Sequence, residues 1–178
     1  MKGKSHALLG KYLVQRYMDQ TPNRHVRAFL IGCIQPDRNP ATYLKGSLRR
    51  QWLRGHNWGN SQRYMQRVCV RLEKRERLHL FDYYTLGKLI HYTTDAFTYS
   101  HNEAFTTNLK KHNLYEENLQ DYFLRNLNSL PALYTVKGKS VMDTIRSYHK
   151  DYLRRPCSIH TDACYALTVC CSILTLML

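Results

Sequence analysis

Two pairs of side chains in this 178-residue chain share one spacing. His91 and Asp95 stand four residues apart, and so do His112 and Glu116. On a helix that spacing points both members of a pair from one face into one volume. Leu86, Leu89 and Ile90 neighbour the first pair, so its face is apolar. A carboxylate there needs compensation, because a lone buried charge is costly. A metal ion provides it. Imidazole and carboxylate are both zinc ligands, and two such pairs on adjacent helices can build a metal site inside a bundle. One His-x3-Asp alone reads as a helix-surface hydrogen bond. Two pairs with His101 between them favour a metal. Three upstream residues join as candidates: His6, Asp37 and His56. Taken singly, they read as a helix-start side chain, a turn residue after Pro36 and a loop residue.

The elements that must position these residues read as helices almost throughout. Ala7, Leu8, Leu9, Tyr12, Leu13 and Tyr17 mark a first helix, with Ser5 as its cap. Thr21, Pro22 and Asn23 break it. Residues 26–34 form a second, strongly apolar helix that ends near Pro36, leaving Asp37 in a polar loop. The stretch 36–60 is loop-like and holds Trp52 and Trp58. A third helix covers 61–77, where Arg63, Arg67, Arg71 and Arg75 recur four apart as a basic stripe. Helices follow over 80–99, 113–126, 140–153 and 162–178, with a turn region over 131–139. Period-two β-branched runs are nearly absent. The expectation is all-α: one domain spanning 1–178, a bundle of about six or seven helices around a metal cleft.

Composition sets the partners. Lys and Arg number 27 against 13 Asp and Glu, for a net charge of +14. An apolar content of 43% excludes a disordered basic tail. The charge favours an anionic partner: nucleic acid, an acidic membrane surface or a phosphorylated substrate. The six cysteines form no CxxC pair and are expected as core thiols. The opening residues Met1 to His6 lack the long apolar stretch and cleavage site of a secretory signal, so a cytoplasmic location is expected. Residues 163–178 are uncharged and mostly apolar. They are short of the roughly 20 residues of a spanning helix and are read as a bundle helix ahead of a C-terminal anchor.

The order of the candidates narrows the reading further. The segments are Ser5-His6-Ala7-Leu8-Leu9-Gly10-Lys11, then Ala28 through Pro36-Asp37, then Gly55-His56. They continue with Gly87 through His91-Tyr92-Thr93-Thr94-Asp95, His101-Asn102, and His112-Asn113-Leu114-Tyr115-Glu116. Together they resemble the zinc-dependent phospholipase C family, whose fold is shared with fungal single-strand-specific nucleases. The likeness is strongest over 5–125. It implies zinc in a helical cleft, as two or three ions. By resemblance, Asp37, His56, His91 and Asp95 hold one zinc, and His101, His112 and Glu116 hold a second. His6 holds a third, bridged by Asp95. The family's secreted enzymes complete that third site with the amine and carbonyl of an N-terminal tryptophan. This chain has Met1 instead, whose amine can serve only if the terminus folds inward.

The resemblance implies a phosphoester hydrolase in which zinc brings the pKa of bound water to about 7. Asp37 is the family-based catalytic candidate, as general base or acid, with Glu117 and Asp121 also near the motif. His79 is the reserve ligand for His56. His25, His149 and His160 are assigned surface or capping roles. Tyr92, Phe97, Tyr99, Tyr115 and Tyr122 pack around the ligands. Three functions compete: a hydrolase of phospholipid, which is favoured; a nuclease acting on single strands; and a metal-holding module without activity. The secreted phospholipases set acidic and aromatic side chains around a choline-type headgroup. Here no acid precedes His6 and Arg38 follows Asp37, which weakens a choline preference. The basic third helix is a candidate contact for an anionic membrane surface.

Overall fold

The computed structural model describes residues 1–42, 56–102, 109–131 and 138–178. Trp52 and most of the 131–139 turn fall outside these residues. Seven α-helices are described: α1 Gly3–Tyr17, α2 Asn23–Arg38, α3 Trp58–Glu73, α4 Leu80–Ala96, α5 Leu109–Asn126, α6 Val141–Tyr152 and α7 Ile159–Met177. Short 3-10 turns cover Pro40–Thr42, Tyr99–His101 and Leu127–Ser129. No strand occurs among the described residues. The chain is all-α, as its patterning indicated.

The central element is α4, buried at every residue from Leu89 to Ala96. Such a helix must be wrapped on all sides, and α1, α2, α3 and α7 pack against it. Its start is fixed by a capping box in which the His79 N–H donates to Asp82 Oδ2 at 3.2 Å. Its buried hydroxyls are satisfied locally: Thr94 Oγ1 donates to the Ile90 carbonyl at 2.7 Å. Around it Leu9, Leu13, Phe29, Met65, Phe97 and Phe123 are fully buried, each contributing roughly 1.5–3 kcal/mol of apolar burial.

The closest helix pair is α2 against α4. Gly32 and Gly87 face each other at the crossing. A Cβ at Gly32 would collide with the Tyr84 carbonyl oxygen, and one at Gly87 with that of Phe29. Only bare glycine lets the backbones approach this far. The crossing lies one turn before His91, and it brings the C-terminal end of α2, with Asp37, to the same level as His91.

Several helix ends differ from the sequence reading. Ser5 lies inside α1 and is buried; the cap is Lys2, whose carbonyl accepts from the Ser5 and His6 N–H groups at 2.9 and 3.4 Å. Pro36 does not end α2. It sits in the last turn, where losing one N–H breaks a single bond. Its carbonyl accepts from Thr42 Oγ1 at 2.6 Å. Asp37 is therefore helical, not in a loop. In contrast, α4 stops at Ala96, and His101 is carried by the following 3-10 turn. Ser140 and Ser158 cap α6 and α7 by accepting from Asp143 N and Thr161 N.

By length and composition α7 could cross a membrane. In the structure its apolar face is enclosed: Ala163, Ala166, Leu167, Val169, Cys170 and Ile173 are fully buried. No cysteine is bridged. Cys33, Cys69, Cys170 and Cys171 are core thiols as expected, whereas Cys157 is exposed and Cys164 half-buried.

Candidate metal centre

The two imidazoles nearest the middle of the bundle have their protons placed by their outer partners. His91 Nδ1 lies 2.9 Å from the Cys33 carbonyl oxygen. A carbonyl only accepts, so Nδ1 carries the proton and Nε2 offers a lone pair. His56 Nε2 lies 3.1 Å from Thr42 Oγ1. That hydroxyl gives its one hydrogen to the carbonyl of Pro36 or Asn39, at 2.6 and 2.7 Å. It therefore accepts from His56 Nε2–H, and His56 Nδ1 holds the lone pair.

These lone pairs point at each other and at carboxylates. His91 Nε2 and His56 Nδ1 are 3.2 Å apart. Asp95 Oδ2 is 3.0 Å from His56 Nδ1 and 3.2 Å from His91 Nε2. Asp37 Oδ1 adds a fourth acceptor at 3.7 and 3.6 Å from the same nitrogens. Acceptors gathered this closely repel unless a positive charge sits among them. Burial alone would lower His91, but the Asp95 charge and hydrogen bond raise it. Asp95 is fully buried, and its carboxyl is held well below the usual range. Burial opposes this, and the Met1 amine, His101, His91 and His6 overcome it.

A second group forms where the 3-10 turn meets α5. His101 Nε2 is 2.9 Å and His112 Nε2 is 3.2 Å from Glu116 Oε1. Between the two groups stands the buried amine of Met1, 2.8 Å from Asp95 Oδ1, 2.8 Å from Glu116 Oε1 and 2.7 Å from His101 Nε2. Burial would lower this amine, yet Asp95 and Glu116 raise it to about 11. The terminus has folded inward, and its charge occupies the space between two carboxylates and an imidazole.

His6 stacks on His91 with ring centroids 3.8 Å apart. Neither of its buried ring nitrogens makes a hydrogen bond, although Nε2 lies 3.2 Å from Asp95 Oδ1. Burial and the neighbouring His91 push its pKa down to about 4, against the pull of Asp95 and Asp37. A buried imidazole with no hydrogen bond costs stability unless it serves another partner.

Three sets of side chains thus offer atoms within 4.8 Å of one another: His6, His91 and Asp95; Asp37, His56 and His91; His101, His112 and Glu116. Every residue singled out in the sequence for metal is in one of them. The donor set of imidazoles and carboxylates fits zinc. The outer hydrogen bonds of His91 and His56 are the kind that orient metal-binding imidazoles. The centre opens to solvent through a cleft of about 560 Å³ lined by Met1, Lys2, Gly3, Lys4, Asp37, Glu116 and Gln120. Glu117 turns outward and pairs with Lys2 at 2.6 Å, and Asp121 is exposed. Of the three acids proposed for proton transfer, only Asp37 lines the cleft. His79 caps α4, away from these groups.

Other residues support the site without signalling it in the sequence. Asp162, fully buried at the start of α7, accepts from Tyr99 N, Tyr115 Oη and Tyr152 Oη, each at 2.8 Å. Tyr99 opens the turn carrying His101, and Tyr115 precedes Glu116. One carboxylate therefore ties together the two elements that form the second group. Burial nevertheless pushes Asp162 up to about 6. His149, expected at the surface, is 3% exposed. It lies against Trp58 at 3.8 Å and bonds Asn102 Oδ1 at 3.0 Å. Asn102 in turn donates to the Ala96 and Thr98 carbonyls at 3.1 and 2.9 Å, closing the turn around His101. Tyr92 meets His56 and His91 edge-on, with both centroids 5.4 Å away.

A helical bundle whose central helix gathers imidazoles and carboxylates at one cleft has the build of a multinuclear metalloprotein. The family description "zinc dependent phospholipase C" matches residues 5–159, and the chain belongs to that family. The match runs past the expected 5–125 to the first residue of α7. No curated protein and no solved structure matches the chain.

Proposed function

We propose that the protein is a zinc-dependent phosphodiester hydrolase acting on phospholipid. The observation that supports this most is the convergence of lone pairs and carboxylate oxygens on the buried side of an open cleft. Asp37, His56, His91 and Asp95 would hold one zinc, and His101, His112 and Glu116 a second. His6 would serve a third, with Asp95 shared and the Met1 amine as a further nitrogen once deprotonated. Bound zinc supplies Lewis acidity toward phosphoryl oxygens and lowers the pKa of water to about 7.

The chain's own residues do the rest. Lys2 and Lys4 at the cleft mouth draw the phosphate inward. Asp37 lines the cleft; its Oδ1 faces His56 and His91, and its Oδ2, itself buried, lies beside Gly3. Asp37 takes the proton of the attacking water at Oδ2 and can return it to the leaving oxygen. Tyr92, buried edge-on against His56 and His91, excludes further water from that side.

The test is a parallel assay of zinc-loaded protein on a phospholipid, a single-stranded oligonucleotide and a soluble bis-aryl phosphodiester. Cleavage of lipid and diester is expected, with Asp37→Asn reducing turnover about 100-fold or more. Oligonucleotide cleavage without lipid cleavage would assign the nuclease activity instead. Inactivity on all three with zinc bound would leave a non-catalytic module.

A further inference from the structure

The basic stripe read over residues 63–75 divides in the structure, where α3 ends at Glu73 and Arg75 lies beyond it. Arg71 donates to Asp82 Oδ1 at 2.9 Å and Arg75 lies 3.7 Å from Asp82 Oδ2, so a buried carboxylate balances this half. Arg63 and Arg67, in the other half, are exposed on one face of α3. Arg146 reaches the same place from α6, which packs beside α3. With Gln62 and Gln66 these three arginines line a depression of about 450 Å³. Among the described residues no carboxylate lies within ion-pair distance of any of the three. Asp143, one turn before Arg146, is bonded to Ser140 instead. Every lining side chain offers N–H donors, and none carries negative charge. Like charges four apart on a helix repel, and a third guanidinium adds to the strain. An anion relieves it, and guanidinium forks match phosphate oxygens two at a time.

We propose that this depression between α3 and α6 binds the phosphate of an anionic phospholipid headgroup and seats the protein on a membrane surface. The choice of lipid as the phosphate source rests on the phospholipase reading above. α3 begins two residues past His56. At about 1.5 Å per residue, Arg63 and Arg67 stand roughly 8 and 14 Å along the axis from the end beside the metal centre. The depression shares no residue with that centre, so docking and cleavage can be measured separately.

The zinc-loaded full chain is titrated with vesicles of phosphatidylcholine alone, with vesicles that also contain phosphatidylserine, with inorganic phosphate and with a single-stranded oligonucleotide. Two variants are compared: R63E/R67E/R146E, and K11E/R24E/R27E, which makes the same change in charge at exposed positions of α1 and α2. Each basic side chain near an anionic surface is worth about fivefold in affinity. The first variant is expected to lose about 100-fold in binding to the phosphatidylserine vesicles, and the second less than about tenfold. Equal losses in the two variants, or equal binding to both vesicle types, overturns the proposal. So does saturation by inorganic phosphate or oligonucleotide without vesicle binding. Should R63E/R67E/R146E fail to unfold cooperatively, R63Q/R67Q/R146Q gives the same comparison. Turnover of the soluble diester is read alongside. Its absence in the zinc-loaded wild type counts against the hydrolase reading, and the vesicle result still judges the depression on its own.

Discussion

His91 and His56 show how a side chain's outer hydrogen bond decides its inner chemistry. The Cys33 carbonyl and the Thr42 hydroxyl each claim one ring N–H, and both lone pairs are left facing Asp95. His149 is the opposite case, a buried imidazole with no carboxylate against it. Burial pushes its pKa from 6.5 down to about 4, against a backbone hydrogen bond to Ala96. The folded protein therefore holds this proton more weakly than the unfolded chain does. The stability it contributes is complete above pH 6.5 and is lost as pH falls toward 4, on the order of 3 kcal/mol in all. Urea unfolding of the metal-free protein across that range should show a loss with falling pH that is smaller in His149→Gln. An unchanged slope would mean that His149 titrates normally. The paired spacing of His91 with Asp95 and of His112 with Glu116 was legible in the sequence, because a helix converts four residues into one face. His149 was not legible: it is covered by Trp58, which opens α3, three helices earlier in the chain.

At the scale of elements, the α2–α4 crossing sets the first group's geometry. Gly32 and Gly87 meet backbone atoms that cannot yield, whereas an added Cβ at Gly10 would meet the tips of the Cys33 and Leu30 side chains at 3.3 Å. Gly87→Ala should cost about 3 kcal/mol or more through overpacking. Gly10→Ala should stay within about 1 kcal/mol, since alanine's better helix propensity offsets a small adjustment. Thermal unfolding of the two variants checks this, and equal midpoints would remove the crossing from the account. The helices themselves followed from apolar spacing, but their ends did not. Pro36 reads as a stop, yet α2 continues through it because in the last turn its missing N–H breaks only one bond, and Thr42 satisfies its carbonyl. The Asp162 hub was also invisible, since its partners lie 10, 47 and 63 residues away and no local pattern records such contacts.

At the scale of the whole molecule, the structure collects positive charge on a frame in which four of the scarce acids, Asp82, Asp95, Glu116 and Asp162, are buried. Asp95 and Asp162 are fully buried and Glu116 nearly so, which leaves surface lysines and arginines short of partners. The centre needs cations, and the surface around it attracts anions. Zinc inside and phosphate outside, as proposed above, would meet both demands, and the family to which the chain belongs is zinc-dependent. The central claim is that the three convergent groups hold zinc. Metal analysis of the purified protein tests it most directly, with the Asp95→Ala His112→Ala double variant measured alongside and its fold checked by circular dichroism. The account predicts two or three zinc ions per chain in the wild type and loss of most of them in the variant. Fewer than two ions in the wild type, or full retention in a folded variant, would contradict it.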